Sequence, residues 1–110
     1  MRKLPVYLSP IAEEKLTSIL SYLREEWSER SANSYLETFL NKTEQISIHP
    51  RSCIESSEYK GLFKMVIEKH TSLFYRIYED EIEIITIIDN RQNPDSIKKE
   101  IRKQKKTLWG

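Results

Sequence analysis

The chain has 110 residues, 32% of them charged and 38% hydrophobic, with a formal net charge of +1, which suits one domain with a single modest core. No apolar run approaches the roughly 20 residues that cross a bilayer, and no apolar h-region follows Met1-Arg2-Lys3-Leu4-Pro5, so neither a membrane span nor a signal peptide is expected. One cysteine, Cys53, rules out an internal disulfide and fits a reducing cytoplasm; with only His49 and His70 beside it, neither a structural zinc nor another cofactor is expected.

Residues 4–8 form a short first strand. Ser9-Pro10 closes it and opens a helix, with serine as the N-cap and proline at the first helical position. Ala12, Leu16, Ile19, Leu20, Leu23 and Trp27 recur at helical spacing over about four turns. Ser28-Glu29-Arg30-Ser31 interrupts the pattern. A second stripe follows, through Ala32, Tyr35, Leu36, Phe39, Leu40, Thr43 and Ile46, and stops at His49-Pro50. So short a link between two helices predicts an antiparallel helical hairpin.

From Pro50 to Gly61 no period holds, and a polar loop is expected. Residues 62–69 resume as a strand with Phe63, Met65 and Ile67 on one face and Lys64, Val66 and Glu68 on the other. His70-Thr71 is the turn into a β-hairpin, residues 73–78 and 82–88, built around the acidic turn Glu79-Asp80-Glu81. Alternation along the last strand puts Ile82, Ile84 and Ile88 on one face and Ile85 and Ile87 on the other. Apolar on both sides, it belongs in the middle of the sheet. It delivers the polar cluster Asp89-Asn90-Arg91-Gln92-Asn93 to its end, closed by Pro94. Ile97 and Ile101, four residues apart, predict a short C-terminal helix to about Lys103.

The expected fold is α+β in the order β-α-α-β-β-β. A helical hairpin packs on one face of a small, mainly antiparallel sheet, and a short C-terminal helix follows. One domain spans 1–110, with 94–110 as a basic helix or tail. Charge is unevenly placed along it. Residues 91–110 carry a net +5 and the first ninety a net −4. Lys98, Lys99, Arg102 and Lys103 are therefore candidates for contact with an acidic partner, either nucleic acid or an acidic protein segment. The bland alternative is that lysines complement the dipole at a helix end.

The order of elements and the residues on them resemble the ParE/RelE superfamily of toxins from bacterial type II toxin–antitoxin modules. Val6-Tyr7-Leu8-Ser9-Pro10 with Ala12 looks like the family's opening strand, cap and helix start. Ala32 and the Leu36, Phe39 and Leu40 stripe fit its second helix, and His49-Pro50 stands where that helix often ends. Gly61-Leu62, Phe74-Tyr75-Arg76, the last strand and Arg91 look like its sheet. The resemblance implies a toxin neutralised by a cognate antitoxin, and one of two activities. ParE-like members poison DNA gyrase and are not enzymes; RelE-like members bind the ribosome and cleave mRNA. The nuclease chemistry needs cations around the scissile phosphate and groups that move protons. Phe63, Met65 and Ser72 stand at three of the usual cationic positions, Gln92 stands at a fourth, and no tyrosine follows Tyr78. Gyrase is therefore the favoured target. The rival nuclease reading rebuilds a phosphate site from Lys64, Lys69, Arg76 and Arg91, and a third alternative is a non-toxic binding module derived from the same fold.

Arg76, Asn90 and Arg91 are the candidate target-binding residues. The structural alternative for Arg76 is a cross-strand pair with Glu83 or Glu81, and for Arg91 an ion pair with Asp89 or Asp95. Histidine is a common general acid or base, but His70 has no orienting carboxylate in sequence, so it is expected to be a solvated turn residue. Cys53 lacks the signature of a nucleophile. Tyr75 and Tyr78 are expected to pack in the sheet, and Trp109 to anchor the tail or hang free. A homodimer and a hetero-oligomer with the antitoxin both remain open.

Overall fold

The computed structural model describes residues 3–57 and 59–89. Strand β1 (Val6–Leu8) leads into α1 (Pro10–Glu26) and α2 (Glu29–Ile48), followed by β2 (Ile54–Glu55), β3 (Phe63–Glu68), β4 (Thr71–Ile77) and β5 (Ile82–Asp89). The sheet order is β1-β5-β4-β3-β2, parallel between β1 and β5 and antiparallel elsewhere. Over these residues the expected α+β order is present, with one strand more; the short helix expected from Ile97 and Ile101, and Trp109, lie outside the described residues. The stretch from Pro50 to Gly61 holds the two-residue β2, too short to announce itself by alternation.

Both helix starts are capped by serine. Ser9 Oγ accepts from the Ala12 amide at 3.1 Å and Ser28 Oγ from the Ser31 amide at 3.0 Å. α2 stops at His49, whose amide still bonds the Gln45 carbonyl, because Pro50 has no N–H to carry the ladder on. The linker is only Trp27-Ser28, so Glu29 and Arg30 belong to α2, and Arg24 pairs with Glu29 at 3.0 Å across it.

One core lies between the hairpin and the sheet. It takes Ala12, Tyr35, Phe39 and Ile46 from the helices and Met65, Leu73, Tyr75, Ile82, Ile84 and Ile87 from the strands. Two residues placed in the helical stripes fall outside it: Trp27 is 72% exposed and Leu40 is 55% exposed. Trp27 is the C-cap of α1, where the helical geometry that would have turned it inward has ended. A second, smaller cluster of Leu62, Phe74, Ile85 and Ile88 occupies the opposite face of the sheet, with the Tyr59 ring edge-on to Phe74 at 5.3 Å.

Two details of register correct the sequence reading. Phe74 pairs with Thr86 while Tyr75 pairs with Ile84, so Ile85 is an extra residue on β5. That bulge inverts the alternation beyond it: Ile87 joins Ile82 and Ile84 on the helix side, and Ile88 joins Ile85 on the other. The β3–β4 turn is Lys69-His70, and Thr71 is already in β4, where its hydroxyl accepts from Tyr35 at 3.2 Å. β5 is an interior strand between β1 and β4, as its two apolar faces predicted.

Candidate functional site

Arg76 is the sequence-predicted cation that the structure sets most fully in context. It lies near the end of β4, on the face away from the helices, directly opposite Glu83 at the start of β5. Two residues on, the Tyr78 hydroxyl donates to Glu83 Oε1 at 3.3 Å. On its other flank β5 pairs with β1, which places Tyr7, 55% exposed, opposite Glu83. A row of Tyr7, Glu83 and Arg76 therefore crosses three strands of this face, closed at the side by Tyr78.

The electrostatics of the row follow from partial burial. Glu83 is held above the ordinary carboxylate range chiefly by desolvation; the Tyr78 hydroxyl and Arg76 pull it back, and Glu81 pushes it up. Burial also raises the Tyr78 hydroxyl, with the Glu83 charge adding to the effect. Gly61 completes the setting. It has φ +84°, open to glycine and strained for other residues, and a β-carbon there would stand 3.9 Å from Arg76 Nη1. Arg76 is thus half-buried, at the register position opposite Glu83 and beside the Gly61 turn. Of the two cross-strand partners expected for it, Glu83 or Glu81, the register places Glu83 opposite.

Tyr78 also lines an adjoining cavity of about 720 Å³, formed with Leu4, His49, Arg51, Ile77 and Glu79 where α2 ends and the β4–β5 turn begins. Arg51 lies over the Phe63 ring at 5.8 Å, and the Tyr75 hydroxyl donates to the Pro50 carbonyl at 2.7 Å, pinning the loop that borders the cavity. Burial pushes the Tyr75 hydroxyl well above its usual range, so it stays a neutral donor. Tyr75 packs in the sheet as expected, whereas Tyr78 has one face in a cavity and a hydroxyl in the polar row.

Of the other candidate cations, Lys64 and Lys69 are among the described residues. Lys64 shares the face of Arg76, exposed and opposite Phe74. Lys69 sits in the β3–β4 turn, at the other end of β4 from Arg76, a separation of about 20 Å at the rise of a strand. Asp89 pairs with Thr71 at that same far end. Asn90, Arg91, Lys98, Lys99, Arg102 and Lys103 lie outside the described residues. His70 is a half-buried turn residue, and Cys53 is half-buried with Sγ 4.0 Å from the Ser52 hydroxyl. Among the described residues no group of three or more histidines, cysteines or acidic residues could hold a metal, and no helix is long and apolar enough to cross a membrane.

Sequence reasoning does not mark Tyr7 or Gly61 as site residues. The available signal for Gly61 was its rarity, one of two glycines in the chain and placed just before a strand. Tyr7 becomes visible only when β1 is known to pair with β5.

Comparison with known proteins then places the chain. The family model for the ParE toxin of the type II toxin–antitoxin system parDE matches residues 6–94. The chain belongs to this family. Among solved structures, a chain of the chromosomal ParDE system from P. aeruginosa superposes with a TM-score of 0.68 at 16% identity, over 79% of this toxin and 96% of that chain. A chain of the RelBE2 toxin–antitoxin complex from Mycobacterium tuberculosis gives 0.55 at 16% identity, over 84% of this toxin and 97% of that chain. At such identities the two establish a shared ParE/RelE fold. No curated protein matches the sequence.

Proposed function

We propose that this ParE-family toxin acts by binding DNA gyrase, with Arg76, Asn90 and Arg91 as target contacts, and that a cognate antitoxin neutralises it in the cytoplasm. The observation that carries the choice of target is the separation of Lys69 from Arg76. A nuclease gathers positive groups around one phosphate, with a proton-transfer group within hydrogen-bond reach. Here Lys69 is about 20 Å along the sheet from Arg76, and Arg76 faces Glu83, which offsets its charge. A half-buried arginine in one row with exposed Tyr7, near an open cavity, suits recognition of an acidic protein surface better than phosphoryl chemistry. The basic residues Lys98, Lys99, Arg102 and Lys103 would add contacts to an acidic partner.

Purified toxin should inhibit gyrase supercoiling or trap cleaved DNA while leaving ribosome-bound mRNA intact. Arg76→Ala and Arg91→Ala should each weaken that inhibition while circular dichroism stays unchanged. Expression alone should arrest bacterial growth, and co-expression of the neighbouring small reading frame should restore it. Codon-phased mRNA cuts that vanish in Arg91→Ala would instead assign the nuclease reading built on Lys64, Lys69, Arg76 and Arg91.

A further inference from the structure

The cavity of about 720 Å³ beside Tyr78 has the size of a ligand pocket, for which roughly 300–1,000 Å³ is usual. Its apolar wall is Leu4, Ile48, Pro50 and Ile77, all of them half-buried, so apolar surface at the end of α2 stays in contact with solvent. The polar wall is unevenly charged. Glu79 lines it, exposed, and the hairpin turn continues into Asp80 and Glu81; among the described residues none of these three carboxylates forms an ion pair. The Tyr78 amide donates to the Glu81 carbonyl at 2.8 Å, which closes the turn and fixes Glu79 beside the cavity.

Charge and shape together select the occupant. α2 ends on the cavity at Ile48 and His49, and no basic residue stands in its last turn, so the negative end of its dipole adds to the Glu79 charge. The Arg51 guanidinium also lines the cavity, but it lies over the Phe63 ring, 5.8 Å from its centre, and is held on that side. An apolar wall beside an acidic rim fits a side chain with a hydrocarbon stem and a cationic head. The Tyr78 ring offers such a head a second contact, cation on π face. We infer that this cavity binds an arginine or lysine side chain of the target protein, with its stem against Leu4, Ile48 and Ile77 and its head at Glu79. Arg76 stands two residues before Tyr78, about 7 Å along an extended chain. The target segment therefore presents an acid to Arg76 and a base to the cavity, side by side. For the partner's identity the inference rests on the protein-target reading above.

The test titrates small probes against the full ¹⁵N-labelled chain: the N-acetyl methylamides of arginine, norleucine and glutamate. The arginine probe should shift the amide resonances of Ile48, Ser52, Ile77 and Glu79. It should bind roughly fivefold more tightly than the norleucine probe, the scale of one exposed ion pair, and added salt should narrow that gap. Glu79→Gln should erase the gap while leaving the norleucine affinity unchanged, which a damaged fold would not do. Equal binding of arginine and norleucine, tighter binding of glutamate, or shifts confined to other residues would overturn the inference. In a supercoiling assay with purified gyrase, Glu79→Lys should weaken inhibition more than Glu13→Lys, the same charge change on the exposed first turn of α1. If the wild type does not inhibit gyrase, the target reading fails while the titration still judges the cavity. If the wild type inhibits and the two variants inhibit equally well, the assignment of the cavity to the target fails alone.

Discussion

On the helix side of the sheet, Ile82, Ile84 and Ile87 of β5 are closed in by Ala12, Tyr35, Phe39 and Ile46. On the opposite side the same strands bury Phe74, Ile85 and Ile88, yet carry Arg76, Glu83 and Tyr78 a few residues away. One face is a continuous apolar layer set by two amphipathic helices. The other is a small apolar cluster that gives way, along the strand, to a partly desolvated polar row. A bulge at Ile85 marks the change: up to it β5 pairs in one register, beyond it in another. The larger core lies on the first face and the proposed contact Arg76 on the second, so substitutions on these strands can separate stability from the proposed recognition.

The largest effect is expected where packing is tightest. Phe39→Ala and Ile84→Ala, at 2% and 0% exposure, should each lower unfolding free energy by about 3–5 and 2–5 kcal/mol in urea denaturation. Val66→Ala, on the open face at the edge, should change it by less than about 0.5 kcal/mol. Equal losses at all three positions would break the distinction between the faces.

Next is Ser9, which ties the two sides together. Its hydroxyl caps α1 and also donates to the carbonyl of the bulged Ile85 at 2.6 Å, while its amide donates to the Ile84 carbonyl at 3.0 Å. Ser9→Ala removes a cap and leaves a buried carbonyl short of a partner, so a loss of about 1–3 kcal/mol is expected. Slower-protected amides at residues 84–87 should exchange faster in the variant, which distinguishes a loosened bulge from a merely frayed helix. Gly61→Ala should be milder. Its φ of +84° imposes strain of about 1 kcal/mol on any residue with a β-carbon, whereas the 3.9 Å approach to Arg76 is ordinary contact. A thermal melt showing no loss would mean that the turn relaxes to negative φ.

How far the sequence foretold this division follows from which signals are local. Ser9-Pro10, His49-Pro50 and the alternation of Phe63, Met65 and Ile67 act within a few residues, and each falls where it was expected. The faces of Ile87 and Ile88 were exchanged because a bulge depends on the partner strand, and counting along one strand cannot detect an inserted residue. β2 escaped for a similar reason: two residues have no period, and only β3 beside them makes them a strand. For the candidate site, the pairing of Arg76 with Glu83 was accessible from the hairpin alone. Tyr7 and Gly61 reach the row only through tertiary pairing, and the cavity beside Tyr78 needs α2, the loop after it and β4 together.

The smallest expected effect tests whether the polar row is held under electrostatic strain. Desolvation leaves the Glu83 carboxyl with a raised pKa in the folded state, so the native protein binds this proton more tightly than the unfolded chain does. The resulting cost is absent below the unfolded value, grows as pH rises from the unfolded toward the folded value, and is constant above both. Wild-type stability should therefore carry a downward step as pH rises from about 4 toward neutrality, and Glu83→Gln should lack it. Because the side chain remains only half-buried, solvent screening keeps the step to an order of a degree or two in Tm. The measurement is the difference in Tm between variant and wild type, taken at pH 4 and again at pH 7. A difference more favourable to the variant at pH 7 supports a carboxylate that the fold tolerates for its contact with Arg76 and Tyr78. A difference that moves the other way would mean that Arg76 stabilises the charged form more than burial opposes it, and the open face would then be held together by an ordinary ion pair.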